Sequence, residues 1–237
     1  MADFLSLPTE IRYEIYRHLR TDRSLSLSPR VENLVVLGYV SYGFHPQILT
    51  TNHQICYEAK QVFYGENHWT LFVTPEIHFK MKYFKLAPLS SALPFIRRVQ
   101  VRFRMFDCLY LPSSLGLVLK DNIMVQLREK LNQISKTLAK ARSLQTFSLI
   151  WTETAGTWRP YGIYSDREWT SDTGELVRAM QGHIEKILQP LCTLKPSCTI
   201  QKSEQIVKFG SNVRSTAMEK AFSNAVDTLK AGRVSSA

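Results

Sequence analysis

The sequence predicts an α/β (or α+β) fold in which a short N-terminal helical module packs on a mixed or parallel sheet with flanking helices. Three observations carry that expectation. Apolar residues recur at three- and four-residue spacing in several segments, short alternating apolar–polar runs stand between them, and strand starts near residues 96, 144 and 197 lie about 50 residues apart. Successive strand–helix–strand units of this kind imply right-handed crossovers.

The first helix opens at LPTEIRYEIYRHL, residues 7 to 19, where Pro8 suits a first turn because its missing N–H needs no partner there. Leu7, Ile11, Ile15 and Leu19 follow at intervals of four and predict one apolar face. NLVVLGYVSYGF, ending at Phe44, reads as two short strands or a partly buried hairpin. A second helix over about 52 to 64 is marked by a cap at Thr51 or Asn52, by Ile55, Ala59, Val62 and Phe63, and by Gly65 as a natural C′ residue. HWTLFV, 68 to 73, is a strand by its β-branched and aromatic content, and Thr74-Pro75-Glu76 starts a third helix carrying Ile77, Met81 and Phe84.

Beyond it, IRRVQVRFR (96 to 104) sets Val99, Val101 and Phe103 on one side and Arg98, Gln100, Arg102 and Arg104 on the other. Helices over 121 to 141, 173 to 191 and 212 to 230 alternate with strands at SLQTFSLIW and SCTIQK. The alternation is loosely leucine-rich-repeat-like, shared in pattern and not in sequence. Two regions follow: 1–72, helical with an inserted hairpin, and 73–237, alternating helix and strand.

Composition narrows the function classes. A chain of 237 residues with 44% hydrophobic residues, 10 Gly and 10 Pro lies in the globular range. The longest nearly apolar run, Leu34 to Phe44, is about half the roughly 20 residues a membrane-spanning helix needs, so no membrane partner is expected. The N-terminus has no continuous apolar segment of secretory type, which points to the cytoplasm or nucleus. Four cysteines at 56, 108, 192 and 198 show no C-x-x-C spacing, which reads as reduced thiols in a packed interior, and the six histidines stand singly, so neither a metal nor a cofactor is expected. G-x-G-x-x-G, Walker A and G-x-S-x-G motifs are missing, and Tyr57 with Lys60 lies on an amphipathic helix explained by packing. The expectation is a non-catalytic chain.

Charge is concentrated. Residues 80 to 142 hold thirteen Lys and Arg against Asp107, Asp121 and Glu129, which accounts for the whole formal excess of +10. Arg98, Arg102 and Arg104 lie along one strand face on which every second position is about 6.6 Å from the next, a stripe suited to carboxylates or phosphates. Three uses stay open: an acidic or phosphorylated protein segment, nucleic acid bound by counterion release, or a solvated surface. Against nucleic acid, no RRM signature or zinc-finger spacing is present. The 152 to 172 connection carries Trp158, Tyr161, Tyr164 and Trp169, either as partner-binding anchors or as a lid folded over the sheet edge.

FLSLPTEIRYEIYRHL together with ILTTNHQICYEAKQVFYGENHWTLF resembles the F-box-like proteins of filamentous fungi. The residues that carry the likeness are Leu7, Pro8, Glu10, Ile11, Arg12, Ile15 and Tyr16, then Ile48, Leu49, Gln54, Ile55, Glu58, Ala59 and the Tyr64-Gly65-Glu66-Asn67 run, so it covers residues 4 to 72. The resemblance implies a subunit that hooks onto the small adaptor of a cullin-type (SCF-type) ubiquitin ligase while the rest of the chain recruits a substrate. Leu7, Pro8, Ile11, Arg12, Ile15, Tyr16 and Leu19 would form the adaptor-binding face, with apolar anchors filling a groove. This sequence departs from an ordinary F-box by about 28 residues inserted at 21 to 48 and by the lack of a Trp before position 69. Helix 1 packed within its own chain, in a scaffold with no cullin partner that binds acidic protein segments or nucleic acid, is therefore the alternative use.

Overall fold

The computed structural model describes residues 4–21, 25–27, 38–40, 43–44, 46–73, 92–106, 110–113, 116–119, 121–154, 173–195, 197–202 and 213–234. In chain order these form α1 (Thr9–His18), β1 (Arg20–Thr21), β2 (Leu25–Leu27), β3 (Gly38–Val40), β4 (Gly43–Phe44), α2 (His53–Glu66) and β5 (His68–Val73). They continue with β6 (Arg98–Phe106), β7 (Tyr110–Ser113), β8 (Gly116–Leu119), α3 (Asp121–Leu138), β9 (Thr146–Thr154), α4 (Thr173–Leu188), β10 (Thr199–Lys202) and α5 (Val213–Val234). The fold is α/β.

A six-stranded sheet in the order β10-β9-β6-β5-β3-β2 is its centre. The four strands β5, β6, β9 and β10 are parallel neighbours in sequence order, and β3 and β2 extend the sheet antiparallel beyond β5. Strands laid down in order with crossovers of one hand put the connecting helices on one face. The core bears this out: its single apolar cluster draws Trp69, Leu71 and Val73 from β5, Val99, Val101 and Phe103 from β6, Phe147, Leu149 and Trp151 from β9, and Ile200 from β10. These residues share one pleat direction by register. Onto them pack Val62 and Phe63 of α2, Leu127, Leu131 and Ile134 of α3, Met180, Ile184 and Ile187 of α4, and Phe222, Ala225 and Val226 of α5. Each such fully buried aliphatic side chain contributes roughly 1.5–3 kcal/mol. The opposite face of the four parallel strands receives none of these helices.

Several local expectations are corrected. Pro8 stands at the N-cap, one residue before the first turn, where its carbonyl accepts the N–H groups of Ile11 and Arg12 at 3.1 and 3.2 Å. Gly65 is not a C′ residue: α2 runs through it to Glu66, and Asn67 closes the helix by donating from Nδ2 to the Phe63 carbonyl at 2.7 Å. A Cβ at Gly65 would reach contact distance, 3.4 Å, from the Phe95 carbonyl oxygen and from Arg97 Nε, which leaves room for a methyl group and little more. Gly65→Val is accordingly expected to lower the thermal midpoint, because the branched chain must displace residues 95 to 97; an unchanged midpoint would show that this contact gives way freely. At the start of α2, Asn52 is the cap, accepting the Gln54 N–H at 2.7 Å.

Farther on, the α-helix expected to reach 191 gives way at Leu188 to a 3-10 turn over Gln189–Thr193, because Pro190 has no N–H to continue it. α5 runs on to Val234, past residue 230. The β7–β8 hairpin was unforeseen. The sheet also crosses the boundary expected at residue 72, since β5 pairs with β3 on one side and β6 on the other, and Tyr16, Ala59, Val62 and Phe63 belong to the common core. The helix expected from Thr74 lies outside the described residues, as do residues 33 to 37 of the apolar run; β3 and β4 within it are separate short strands pairing with different partners.

Among the described residues no helix is long and apolar enough to cross a membrane, and no group of three or more His, Cys, Asp or Glu is placed to hold a metal. Of the described cysteines only Cys198 is buried; Cys56 is half-buried and Cys192 exposed, so the expectation of interior thiols holds for one of them.

Candidate functional site

The motif helix α1 is tied to α2 by a buried ion pair. Arg12 Nε and Nη2 donate to Glu58 Oε2 and Oε1 at 2.9 and 2.6 Å, a two-pronged match of guanidinium to carboxylate. The remaining donors are used as well: Nη2 reaches Thr9 Oγ1 at 3.2 Å, and Nη1 reaches the carbonyls of Leu5, at 3.3 Å, and Leu7. Glu58 in turn accepts from Tyr16 Oη at 3.0 Å and Gln54 Nε2 at 3.1 Å. Arg12 is 5% exposed, Glu58 7% and Tyr16 0%. All five guanidinium donors are paired, which is the condition under which a buried charge is tolerated.

The electrostatics follow from this geometry. The Arg12 hydrogen bonds hold the Glu58 carboxyl down at about pKa 2, with Gln54 and Tyr16 adding to the effect against the opposing cost of burial. Burial, reinforced by Glu58, pushes the Tyr16 phenol well above its usual range. A second, exposed tie joins Arg17 to Glu66 at 2.9 Å, and Tyr13 bonds Gln61. The two motifs of the sequence are thus coupled within the chain. In the FYGENHW stretch, Tyr64 stacks on Trp69 at 5.5 Å, and the Trp69 indole donates to the Tyr64 carbonyl at 3.1 Å.

This arrangement redraws the adaptor-binding face expected from sequence. Arg12 and Tyr16 are interior, and Leu19 is half-buried against the core. Helix geometry explains the change: at about 100° per residue, Leu19 has turned about 80° away from Ile11 and lies within about 20° of Arg12. What remains outside is Pro8, exposed, and Ile11, 49% exposed, with Leu7 and Ile15 half-buried. Ile11 is one of three large apolar side chains that stand exposed among the described residues, beside Tyr57 and Val125.

The second surface is the face of the sheet opposite the described helices. By register, His68 of β5, Arg98 of β6, Thr146 of β9 and Thr199 of β10 form one row, and Thr70, Gln100, Ser148 and Gln201 the next. His68, Arg98, Thr199 and Gln201 are exposed and the other four half-buried. Arg98 Nη1 lies 3.3 Å from His68 Nε2, and Thr70 Oγ1 donates to Gln100 Oε1 at 3.4 Å. Burial, then the charge of Arg98, depresses the His68 pKa, so the ring is neutral and accepts from the guanidinium. The third row pairs half-buried Arg102 with Ile150, which is 0% exposed although it lies outside the main apolar cluster. The open part of this face is therefore the end where the parallel strands begin. Arg104 follows in register opposite Thr152; Trp158, Tyr161, Tyr164 and Trp169 lie outside the described residues.

A groove of about 620 Å³ lies elsewhere, between α3 and the 3-10 turn, with Val125, Arg128, Glu129, Gln189, Cys192 and Thr193 among its lining. Its lining includes no histidine to activate the thiol. Comparison of the chain with protein-family models, curated proteins and solved structures finds no match.

Proposed function

We propose that the chain is a non-catalytic protein-recognition subunit of the F-box-like kind, which presents the outer side of α1 to the small adaptor of a cullin-type ubiquitin ligase. One observation carries this reading. The helix bearing the Leu-Pro-x-Glu-Ile-Arg motif is locked to its own chain through Arg12 and Tyr16, while Ile11, one position away, is left half in solvent. A helix fixed on one side with aliphatic residues on the other is preorganised for helix-in-groove docking, because little ordering entropy is lost on binding. Pro8, Ile11 and Ile15, with the edge of Leu7, are the anchors.

Affinity purification from native extract is the test. The wild-type chain should bring down adaptor and cullin, and Ile11→Asp with Ile15→Asp should lose both while its thermal midpoint stays within a few degrees of wild type. Recovery of neither from the wild type, or equal recovery with the double variant, contradicts the reading. The second reading, a scaffold without a cullin partner, is favoured by one fact: Arg12, Tyr16, Arg17, Glu58 and Glu66 of the motifs all have structural partners within the chain. It predicts no adaptor in either purification.

A further inference from the structure

We infer that the sheet face opposite the described helices, centred on Arg98, captures an acidic protein segment lying across β5, β6, β9 and β10. The inference extends the recognition reading to a second surface and rests on it only in taking the ligand to be protein. Four strands spaced about 4.8 Å apart give a platform about 14 Å wide, the span of four or five extended residues. Across it, the described side chains of the first two rows put a single cation, Arg98, among hydroxyls and amides: Thr70, Gln100, Thr146, Ser148, Thr199 and Gln201.

No residue of these two rows is acidic. Arg98 has His68, a neutral acceptor, as its neighbour, and among the described residues no carboxylate lies within ion-pair distance of it. Its guanidinium retains donors for an incoming carboxylate, and the flanking hydroxyls and amides can serve the segment's backbone. Nucleic acid fits less well. Tracking a phosphate backbone needs several cations along its path and rings for base stacking, whereas the two rows of the parallel strands offer one Arg and no Trp, Tyr or Phe, and register adds only Tyr39 of β3, opposite Thr70. With half-buried Arg102 one row farther on, an acidic residue seated at Arg98 has a second basic position about 13 Å along the strand.

The probe is a fluorescein-labelled octaglutamate peptide, titrated against the full chain by anisotropy at low and moderate salt, with an eight-residue oligothymidylate as comparison. Arg98→Glu, and independently Thr199→Glu on the exposed edge strand, should each weaken octaglutamate binding at least tenfold. Lys220→Glu on α5, in the helical layer, should change it less than twofold, and Ile11→Asp should leave it unchanged. Thermal midpoints confirm that each variant is folded. The inference is overturned if octaglutamate does not bind, if both face variants bind like wild type, if Lys220→Glu weakens binding equally, or if the oligothymidylate binds more tightly and loses affinity with Arg98→Glu. Because Ile11→Asp affects only the adaptor surface, failure here and failure of adaptor binding are read separately.

Discussion

Replacing Glu58 by Ala should cost about 3–5 kcal/mol of folding stability, the range for removing one member of a buried ion pair and leaving its partner uncompensated. Four hydrogen bonds end on this carboxylate, two from Arg12 and one each from Tyr16 and Gln54, and all lose their acceptor together. For a chain of this size the loss corresponds to a fall of roughly 10 °C in thermal midpoint. Removing both charges as Arg12→Met with Glu58→Leu should recover part of the loss, because an apolar pair carries no desolvation penalty. Recovery stays incomplete, since the Tyr16 hydroxyl and the Leu5 and Leu7 carbonyls are then left without these partners. A Glu58→Ala melt indistinguishable from wild type would show that the network does not hold α1 to α2.

The same carboxylate fixes a pH dependence. Its folded-state pKa of about 2 lies below the ordinary unfolded value of about 4.3. The ionised form is the one the fold favours, so the contribution is complete above about pH 5 and declines as pH falls toward 2. Glu58→Ala should flatten the stability profile across that window.

Phe222→Ala is the other large effect expected, about 3–5 kcal/mol for an aromatic ring removed from a closed core. Phe222 is 1% exposed, its ring lies 5.6 Å from Trp151, and it stands on α5, which covers β9 and β10. The neighbouring Trp151–Phe103 contact at 5.2 Å would lose its backing. Denaturant unfolding should show the shift for Phe222→Ala and almost none for Asp227→Ala, whose carboxylate is exposed and meets only Lys230 at 3.3 Å. Equal midpoints for wild type and Phe222→Ala would mean that α5 is not docked as described.

Periodicity made most of the framework legible. Val99, Val101 and Phe103 alternate as expected for one buried face of β6, and the apolar positions of α3 from Leu127 to Leu138 fall on the core as spaced. What periodicity could not show is a contact between distant residues. Arg12 and Glu58 are 46 positions apart, and the four-residue spacing of Leu7, Ile11, Ile15 and Leu19 draws one apolar face without showing that Arg12 and Tyr16 turn inward. A signal was present in the joint occurrence of Arg12, Tyr16 and Leu19 on one helical face with an acid in the second motif. Gly65 misled because a glycine near a helix end is a left-handed C′ residue in many helices, whereas here it stays within the helix and Asn67 closes it. Pro112 concealed β7, since proline within a short apolar run argues against a strand except at an edge or bulge. The basic face of β6 was visible in sequence, but its partners Thr146, Ser148, Thr199 and Gln201 became its neighbours only through register.

The division of α1 into a locked side and an open side is tested most directly by photocrosslinking. A photoreactive amino acid replaces Ile11 in the full chain, and irradiation in native extract is followed by mass-spectrometric identification of the adduct. The predicted product joins position 11 to the small adaptor of a cullin ligase. Crosslinks confined to the chain's own residues would contradict the account.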